Sequence, residues 1–162
     1  MDPEVQVALT PVRVGAANFR LSAKNYWLTY SQIGDLDNQS LTNKLNSLHH
    51  VKGASSYSWQ RLLPQPQIKA WAAAEEHHQD GGRHWHAFVM FHRKPRSRSP
   101  SFFDVEGIHP NIKTSAGTGV DKIKIWKYLT KEGFNLFGTW TGPDQDLTDR
   151  CGFIFSLSLP SV

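Results

Sequence analysis

The chain has 162 residues, a length that fits one domain of ordinary size. Its 39% hydrophobic and 12% aromatic residues exclude an intrinsically disordered chain, and a single cysteine excludes an internal disulfide framework. Eighteen Lys and Arg against fourteen Asp and Glu leave a formal charge of +4. The apolar run at 70–74 is too short for a membrane span, so we expect no membrane partner.

The small overall charge conceals an uneven distribution. Residues 83–131 hold ten basic and three acidic residues, a net charge of +7, and the remaining eight basic and eleven acidic residues give −3. A positive segment of this kind favours a polyanionic partner, most simply a nucleic acid, although a solvated surface would look the same.

Four segments of the N-terminal half can be interpreted from pattern and composition. Residues 1–17 carry two prolines and no periodicity, so we expect a flexible arm. Residues 19–30 are rich in aromatic and β-branched side chains and lack Pro and Gly, which predicts a strand. Leucines recur at helical spacing over 41–48 after a run of capping residues, which predicts a helix. The composition of 53–67 is typical of a loop.

The C-terminal half begins with a hairpin. Residues 68–78 and 84–92 have strand composition and are joined by Asp80-Gly81-Gly82, a frequent hairpin turn. A second helix is predicted over 120–131, with Gly133 placed to end it in a left-handed conformation. The other predicted segments are a proline-interrupted loop at 93–100, extended pieces at 102–105 and 108–113, and a last strand at 136–140.

This order of elements, β-α-β-β-(β)-α-β, predicts an α+β fold in which an antiparallel sheet packs both helices on one face. The same order occurs in RNA-recognition domains. We place the folded domain at 18–142, between the arm and a tail over 143–162 that has no recognisable pattern.

The densest group of chemically active residues spans the hairpin, where Glu75-Glu76-His77-His78 faces His84-Trp85-His86. Alternate residues of a strand share a face, so His84 and His86 present two imidazoles together while Trp85 turns to the other side. Two imidazoles and a carboxylate form a three-ligand site with open positions, which suits a divalent ion that also holds substrate oxygens.

Which glutamate completes this site depends on the register of the hairpin. With a two-residue Gly81-Gly82 loop, Glu75 lies on the histidine face; with a loop that includes Asp80, Glu76 lies opposite His86. Because a shift of one residue moves every side chain to the other face, the alternation leaves both registers open.

The second helix carries a candidate nucleophile. A phenol is a weak nucleophile, but positive charge beside it and a metal-polarised phosphate favour attack by the phenolate. Lys124, Tyr128 and Lys131 fall on one exposed face at positions i, i+4 and i+7. A buried stripe is expected on the other side of this helix, formed by Val120, Ile123, Trp126 and Leu129.

Taken in chain order, these pieces resemble the HUH endonuclease domain of replication-initiator (Rep) proteins of circular single-stranded DNA viruses, especially geminiviruses and genomoviruses. Three motifs and an intervening segment carry the resemblance: Leu28-Thr29-Tyr30-Ser31-Gln32, His84-Trp85-His86, Tyr128-Leu129-Thr130-Lys131, and the pair Phe102-Phe103-Asp104 and His109-Pro110-Asn111-Ile112. The family also has a metal-binding glutamate eight residues before the first histidine, a position that Glu76 occupies.

The resemblance implies a function and a set of site residues. It implies a metal-dependent nickase and ligase for single-stranded origin DNA, which starts rolling-circle replication through a 5′-phosphotyrosine. Glu76, His84 and His86 would hold Mn²⁺ or Mg²⁺, Tyr128 would attack the phosphate, and Lys131 would stabilise charge beside it. The expected DNA contacts are Thr29, Tyr30, Asn111, Lys113 and Lys124.

The resemblance also bears on partners and location. We expect an origin hairpin loop and the host replication machinery as partners, with association into a homo-oligomer as a further possibility. Localisation would be the host nucleus, or the cytoplasm for a bacterial replicon. Because the chain has no Gly-x-x-x-x-Gly-Lys-[Ser/Thr] loop, we expect no ATPase or helicase activity from it.

Two other functions are open at this point. The first is a non-catalytic RNA-recognition-like module that binds single-stranded nucleic acid, although binding alone has no use for the cluster of Glu76, His84, His86 and Tyr128. The second is a zinc hydrolase, which would leave Tyr128 and Lys131 unexplained and lacks a helical His-Glu-x-x-His.

Overall fold

The computed structural model describes residues 7–13, 15, 18–48, 68–131 and 135–145. These residues form one sheet in the order β1-β5-β2-β4-β3-β6, and each neighbouring pair is antiparallel. The fold is therefore α+β with an antiparallel sheet, as predicted. The elements in chain order are β1 (Thr10–Pro11), β2 (Asn25–Tyr30), α1 (Asn38–Ser47), β3 (Ile68–His77), β4 (Arg83–Phe91), β5 (Asn111–Ser115), α2 (Gly119–Leu129) and β6 (Asn135–Gly138).

The two helices lie on opposite faces of the sheet, whereas we expected both on one face. Alternate residues of β4 divide between two apolar clusters: Trp85 packs in the cluster that contains Leu41 and Leu45 of α1, and Phe88 packs in the cluster that contains Ile125 and Leu129 of α2. Both faces of the central strands are apolar, so each face needs a helix to cover it.

The N-terminal residues depart from the prediction in two places. Within the expected flexible arm, Thr10 and Pro11 pair with Thr114 and Lys113 of β5, so this part is held to the sheet. The first long strand begins at Asn25 rather than residue 19, because the backbone N–H of Leu21 donates to the carbonyl of Ser97 outside the sheet.

The buried stripe expected on α2 is confirmed only at its C-terminal end, where Leu129 is buried and Trp126 is partly buried. Ile125 and Leu129 are the buried residues of this helix, whereas Val120 is 63% exposed and Ile123 is 46% exposed. Residues three apart drift by about 60° per step around a helix of 3.6 residues per turn, so a stripe built on that spacing cannot stay on one face. The buried pair follows the i, i+4 spacing instead.

The hairpin between β3 and β4 adopts neither expected register. Glu76 lies opposite His84, and the N–H of His78 donates to the carbonyl of Gly82 at 2.9 Å. The turn therefore consists of residues 79–81, with Gly81 at φ +84° supplying the left-handed residue that a three-residue hairpin loop needs. The observed register differs by two residues from the one expected for a loop that includes Asp80. A shift of two residues keeps every side chain on the same face, so Glu76 still lies on the face of His84 and His86.

Several predictions fall outside the described residues: the start of the arm, the loop at 53–67, the cap at Gly133 and the end of the tail. No helix among the described residues is long and apolar enough to cross a membrane.

Candidate active site

One face of the sheet is covered by α2 and is called the α2 face; the other, covered by α1, is the α1 face. Three side chains from three elements meet on the α2 face. The Nε2 atom of His86 on β4 lies 2.9 Å from Oε2 of Glu76 on β3. The hydroxyl of Tyr128 on α2 donates to the same Glu76 oxygen at 3.3 Å and lies 3.5 Å from His86 Nε2. Glu76 is only 6% exposed, so its carboxylate is committed to these partners rather than to bulk water.

Strand β2 supplies the surroundings of His86. Thr29 Oγ1 lies 3.3 Å from His86 Nδ1, on the other side of the ring from Glu76. The indole of Trp27 stacks on the imidazole, with 5.6 Å between centroids and 20° between planes. The same indole meets the Tyr128 ring edge to face at 5.6 Å, so Trp27 fixes the separation of the two rings.

Lys131 lies directly beside the candidate nucleophile. Its Nζ atom is 4.3 Å from the centroid of the Tyr128 ring, within the range of a cation–π contact. The ammonium group therefore lies over the face of the ring. Lys131 is thus placed where the sequence analysis expected it, whereas Lys124 is an exposed residue on an earlier turn of α2.

His84 shares the face of Glu76 and His86, but its ring lies against His78, next to the turn of the hairpin. Its ring lies 4.1 Å from the ring of His78, centroid to centroid. Among the described residues, no three His, Cys, Asp or Glu side chains converge on one point. The structure therefore assembles Glu76 and His86 and leaves His84 next to them, against His78.

Both histidines are held toward the neutral form. Burial lowers the pKa of His86, and His84 and Lys131 add to this effect while the Glu76 carboxylate opposes it. Burial also lowers the pKa of His84, with His78 as a further cause. Neutral imidazole is the form that can ligate a metal ion.

The donor set fits a divalent cation. Two donors at right angles around an ion, each about 2.1 Å from it, are about 3.0 Å apart, and His86 Nε2 and Glu76 Oε2 are separated by 2.9 Å. A carboxylate with imidazoles is a ligand set that suits Mn²⁺ and is compatible with Mg²⁺. Glu76 and His86 thus offer two adjacent donors of the types that a divalent ion accepts, with His84 next to them on the same face.

A row of side chains leads across the sheet to this site. Thr29 is the direct cross-strand partner of His86 on one side and of Asn111 on the other. Lys113 lies opposite Trp27 in the same way. Residues directly opposite each other share a face, so Asn111, Thr29 and Lys113 all lie on the α2 face.

Tyr30 was expected to contact DNA, and the structure contradicts this expectation. Its side chain is 0% exposed, on the α1 face, and its hydroxyl donates to the carbonyl of Phe103 at 2.7 Å. Burial raises the pKa of Tyr30, which keeps the phenol neutral. Tyr30 connects β2 to the segment before β5 and does not reach the surface.

Glu75, the other candidate glutamate, points away from the site. Its carboxylate accepts a hydrogen bond from Arg83 Nε at 2.8 Å and lies 2.9 Å from His77 Nε2. Arg83 in turn donates to the carbonyl of Gly34 at 2.7 Å. This network connects the hairpin to the loop before α1 and is structural.

Trp27 was not expected as a site residue. A signal was available, because Trp27 and Thr29 are two residues apart on one strand and therefore share a face. Its contacts with His86 and Tyr128 depend on the pairing of β2 with β4 and on the docking of α2, neither of which follows from local pattern.

The sequence of this chain is similar to a known protein family and to several viral proteins. Residues 19–141 match the family model described as the geminivirus Rep catalytic domain. The chain is 35% identical over 120 residues to the replication-associated protein A of Bean yellow dwarf virus, covering 72% of this chain and 33% of that protein. It is 29% identical over 116 residues to the replication-associated protein A of Tobacco yellow dwarf virus (strain Australia), with 72% and 33% covered. The chain thus spans about a third of the length of these relatives.

Proposed function

The chain belongs to the geminivirus Rep catalytic domain family, and from that premise we propose that it nicks and rejoins single-stranded DNA at a viral replication origin. The nick would start rolling-circle replication. The relatives named as replication-associated proteins support a role in replication. The observation that carries the chemistry is the convergence of Tyr128 Oη on Glu76 Oε2 and His86 Nε2 within 3.5 Å.

Tyr128 performs the chemical step. Its hydroxyl oxygen forms a bond to the scissile phosphorus while the bond from phosphorus to the 3′ oxygen breaks. The products are a 5′-phosphotyrosine and a strand that ends in a free 3′-OH, after the phenol proton has left and the 3′ oxygen has gained one. Because the phosphodiester energy is conserved in the new bond, attack by a 3′-OH on the phosphotyrosine reseals the strand without ATP.

Other residues prepare this step. Glu76, His86 and His84 would hold Mn²⁺ or Mg²⁺, which when bound stabilises negative charge on the phosphate oxygens. Lys131 supplies positive charge next to the Tyr128 ring, which favours the phenolate. Trp27 keeps the nucleophile and His86 at a fixed separation.

The substrate is the single-stranded loop of an origin hairpin. We place it along the α2 face, where Asn111, Thr29 and Lys113 lead toward His86. Lys124 on α2 would contact the backbone of the strand. An aromatic sheet flanked by positive charge is a common way of holding single strands.

The biological setting belongs to the same proposal. A free 3′-OH is a primer, so the host replication machinery would extend it in the host nucleus. Self-association, the 18–142 bounds of the domain and the tail over 143–162 stay predictions.

An adduct assay tests the proposed function. The chain is incubated with Mn²⁺ and a labelled oligonucleotide that carries the hairpin origin of its own replicon, and SDS-resistant protein–DNA adducts are measured on a gel. We expect an adduct with the wild type and none with Tyr128→Phe, because the substitution removes only the attacking oxygen and keeps the ring contacts.

Three results would contradict this function. An adduct with Tyr128→Phe excludes Tyr128 as the nucleophile, and an adduct without divalent metal excludes the metal site. Tight binding of the oligonucleotide without any adduct would favour the non-catalytic, RNA-recognition-like module.

A further inference from the structure

Thr29 occupies a position that a DNA contact alone does not explain. Its Oγ1 atom lies 3.3 Å from Nδ1 of His86, and the opposite ring nitrogen, Nε2, lies 2.9 Å from Glu76. Pairing of β2 with β4 places Thr29 directly opposite His86. The two nitrogens of the imidazole are thus held from two neighbouring strands.

The hydroxyl of threonine suits this position because it can both donate and accept. When Nε2–H donates a hydrogen bond to the carboxylate of Glu76, Nδ1 has a lone pair and the Thr29 hydroxyl donates to it. When Nε2 must present its lone pair to a metal ion, Nδ1 carries the proton and donates to Thr29 Oγ1. One side chain therefore satisfies Nδ1 in both tautomers without any movement of the ring.

The remaining contacts of His86 leave this task to Thr29. Trp27 stacks on the face of the ring, which sets the plane of the imidazole but is satisfied equally after a half-turn about the Cβ–Cγ bond that moves both nitrogens. A hydrogen bond to Nδ1 removes that freedom, and metal-binding histidines usually depend on such a partner.

We propose that Thr29 is a positioning residue that orients His86 through Nδ1 so that Nε2 faces Glu76 and the metal. The inference rests on the proposed function, because it concerns the same metal site. It gives Thr29 a role other than the DNA contact that the motif resemblance suggested, and the two roles predict different measurements.

The first experiment measures Mn²⁺ binding to the whole chain without DNA, by electron paramagnetic resonance titration. Thr29→Val keeps the shape but loses the hydroxyl, and we expect affinity to fall about tenfold or more. Thr29→Ser keeps the hydroxyl and should bind within a few-fold of the wild type. Thr114→Val is the matched control, since Thr114 is a partly exposed threonine of the same sheet whose hydroxyl donates to Thr10 at 3.4 Å instead.

The second experiment observes the histidine itself. In the Zn²⁺-loaded chain, used as a diamagnetic stand-in, NMR should show a slowly exchanging Nδ1–H proton for His86 in the wild type and in Thr29→Ser. Thr29→Val should lose this signal to exchange with water. If Thr29 only stabilised the fold, Thr29→Val would change the unfolding midpoint but would not specifically speed the exchange of the His86 Nδ1–H proton with water.

Each outcome either supports or overturns the proposal. Equal Mn²⁺ affinity for Thr29→Val and Thr114→Val overturns it, as does loss of affinity in Thr29→Ser to the level of Thr29→Val. Weaker DNA binding by Thr29→Val with unchanged Mn²⁺ affinity also overturns it and leaves Thr29 as a DNA contact. If the wild type neither binds Mn²⁺ nor forms the adduct, the proposed function itself is wrong. That result differs from a wild type that binds Mn²⁺ with an affinity that Thr29→Val does not change, which overturns only the role of Thr29.

Discussion

Glu75 and Glu76 are adjacent and about equally buried, at 5% and 6% exposure, yet they belong to different parts of the molecule. Glu76 points to the α2 face and contacts His86 and Tyr128, while Glu75 points to the α1 face and binds Arg83. The pleat of β3 is responsible, because successive side chains leave a strand on opposite sides. Two identical residues thus divide into one beside Tyr128 and one in an ion pair on the other face.

Glutamine substitutions at these two positions should separate the two roles. Glu76→Gln keeps the shape but removes the charge that a divalent ion needs, so we expect adduct formation to fall about 100-fold or more. Glu75→Gln should form the adduct at a rate within a few-fold of the wild type, provided that both variants give native circular dichroism spectra. Equal loss from the two variants would contradict the assignment of Glu76.

The Glu75–Arg83 pair should make stability depend on pH. The hydrogen bond from Arg83 holds the pKa of Glu75 below its ordinary value of 4.5, so the unfolded chain takes up the proton at higher pH than the folded chain. The stabilisation is complete above the unfolded pKa and is lost as the pH falls through the folded one. The difference in unfolding free energy between wild type and Glu75→Gln, measured in urea, should be constant from about pH 7 to 5 and shrink below about pH 4. A difference that grows on acidification would contradict this account.

At the scale of the element, α2 shows how a helix aims a functional residue. Ile125 and Leu129 anchor the helix in the apolar cluster with Trp27, Phe88 and Trp140. Tyr128 is partly buried at the edge of that cluster, one residue before Leu129, so its hydroxyl reaches Glu76. The rotation of the helix about its own axis therefore decides whether the Tyr128 hydroxyl meets Glu76 and His86.

Two isoleucines of α2 provide a matched test of this orientation. Ile125→Ala removes a fully buried side chain and should lower the free energy of unfolding by about 2–5 kcal/mol. Ile123→Ala, two residues earlier and 46% exposed, should change it by less than about 0.5 kcal/mol. Urea denaturation of both variants gives the comparison, and a larger effect at Ile123 would mean that α2 is rotated relative to this structure.

At the scale of the whole molecule, the two faces of the sheet differ in what they carry. The α1 face carries the larger apolar cluster, including Tyr26, Tyr30 and Trp85. The α2 face carries the candidate site, with the row of Asn111 and Thr29 leading to it. Residues 83–131, which carry the net charge of +7, include β4, β5 and α2, the elements that supply His86, Asn111 and Tyr128.

The dependence of DNA binding on salt should show whether DNA contacts the α2 face rather than the α1 face. Lys113 lies on the α2 face, so Lys113→Gln should weaken binding to a single-stranded oligonucleotide and reduce the slope of log K against log salt by about 0.7. Lys44 on α1 is on the opposite side of the sheet, and Lys44→Gln should leave the slope unchanged. Fluorescence anisotropy over a series of salt concentrations measures both slopes. An equal reduction from the two variants would show that charge acts without regard to the face.

The family resemblance selected Glu76 over Glu75, a choice that strand alternation had left open. Local pattern in the sequence was sufficient to predict the antiparallel α+β class, the hairpin, both helices, the shared face of His84 and His86, and the position of Lys131 beside Tyr128. Such features depend on neighbours within a few residues, through turn chemistry, alternation and helical spacing. Only the tertiary structure decided the hairpin register, the side of the sheet that each helix covers, the burial of Tyr30 and the contacts of Trp27 and Thr29 with His86. These features depend on which residues meet across strands far apart in the chain, and a shift of one residue or a rotation of one helix leaves the local pattern unchanged while it replaces every such contact.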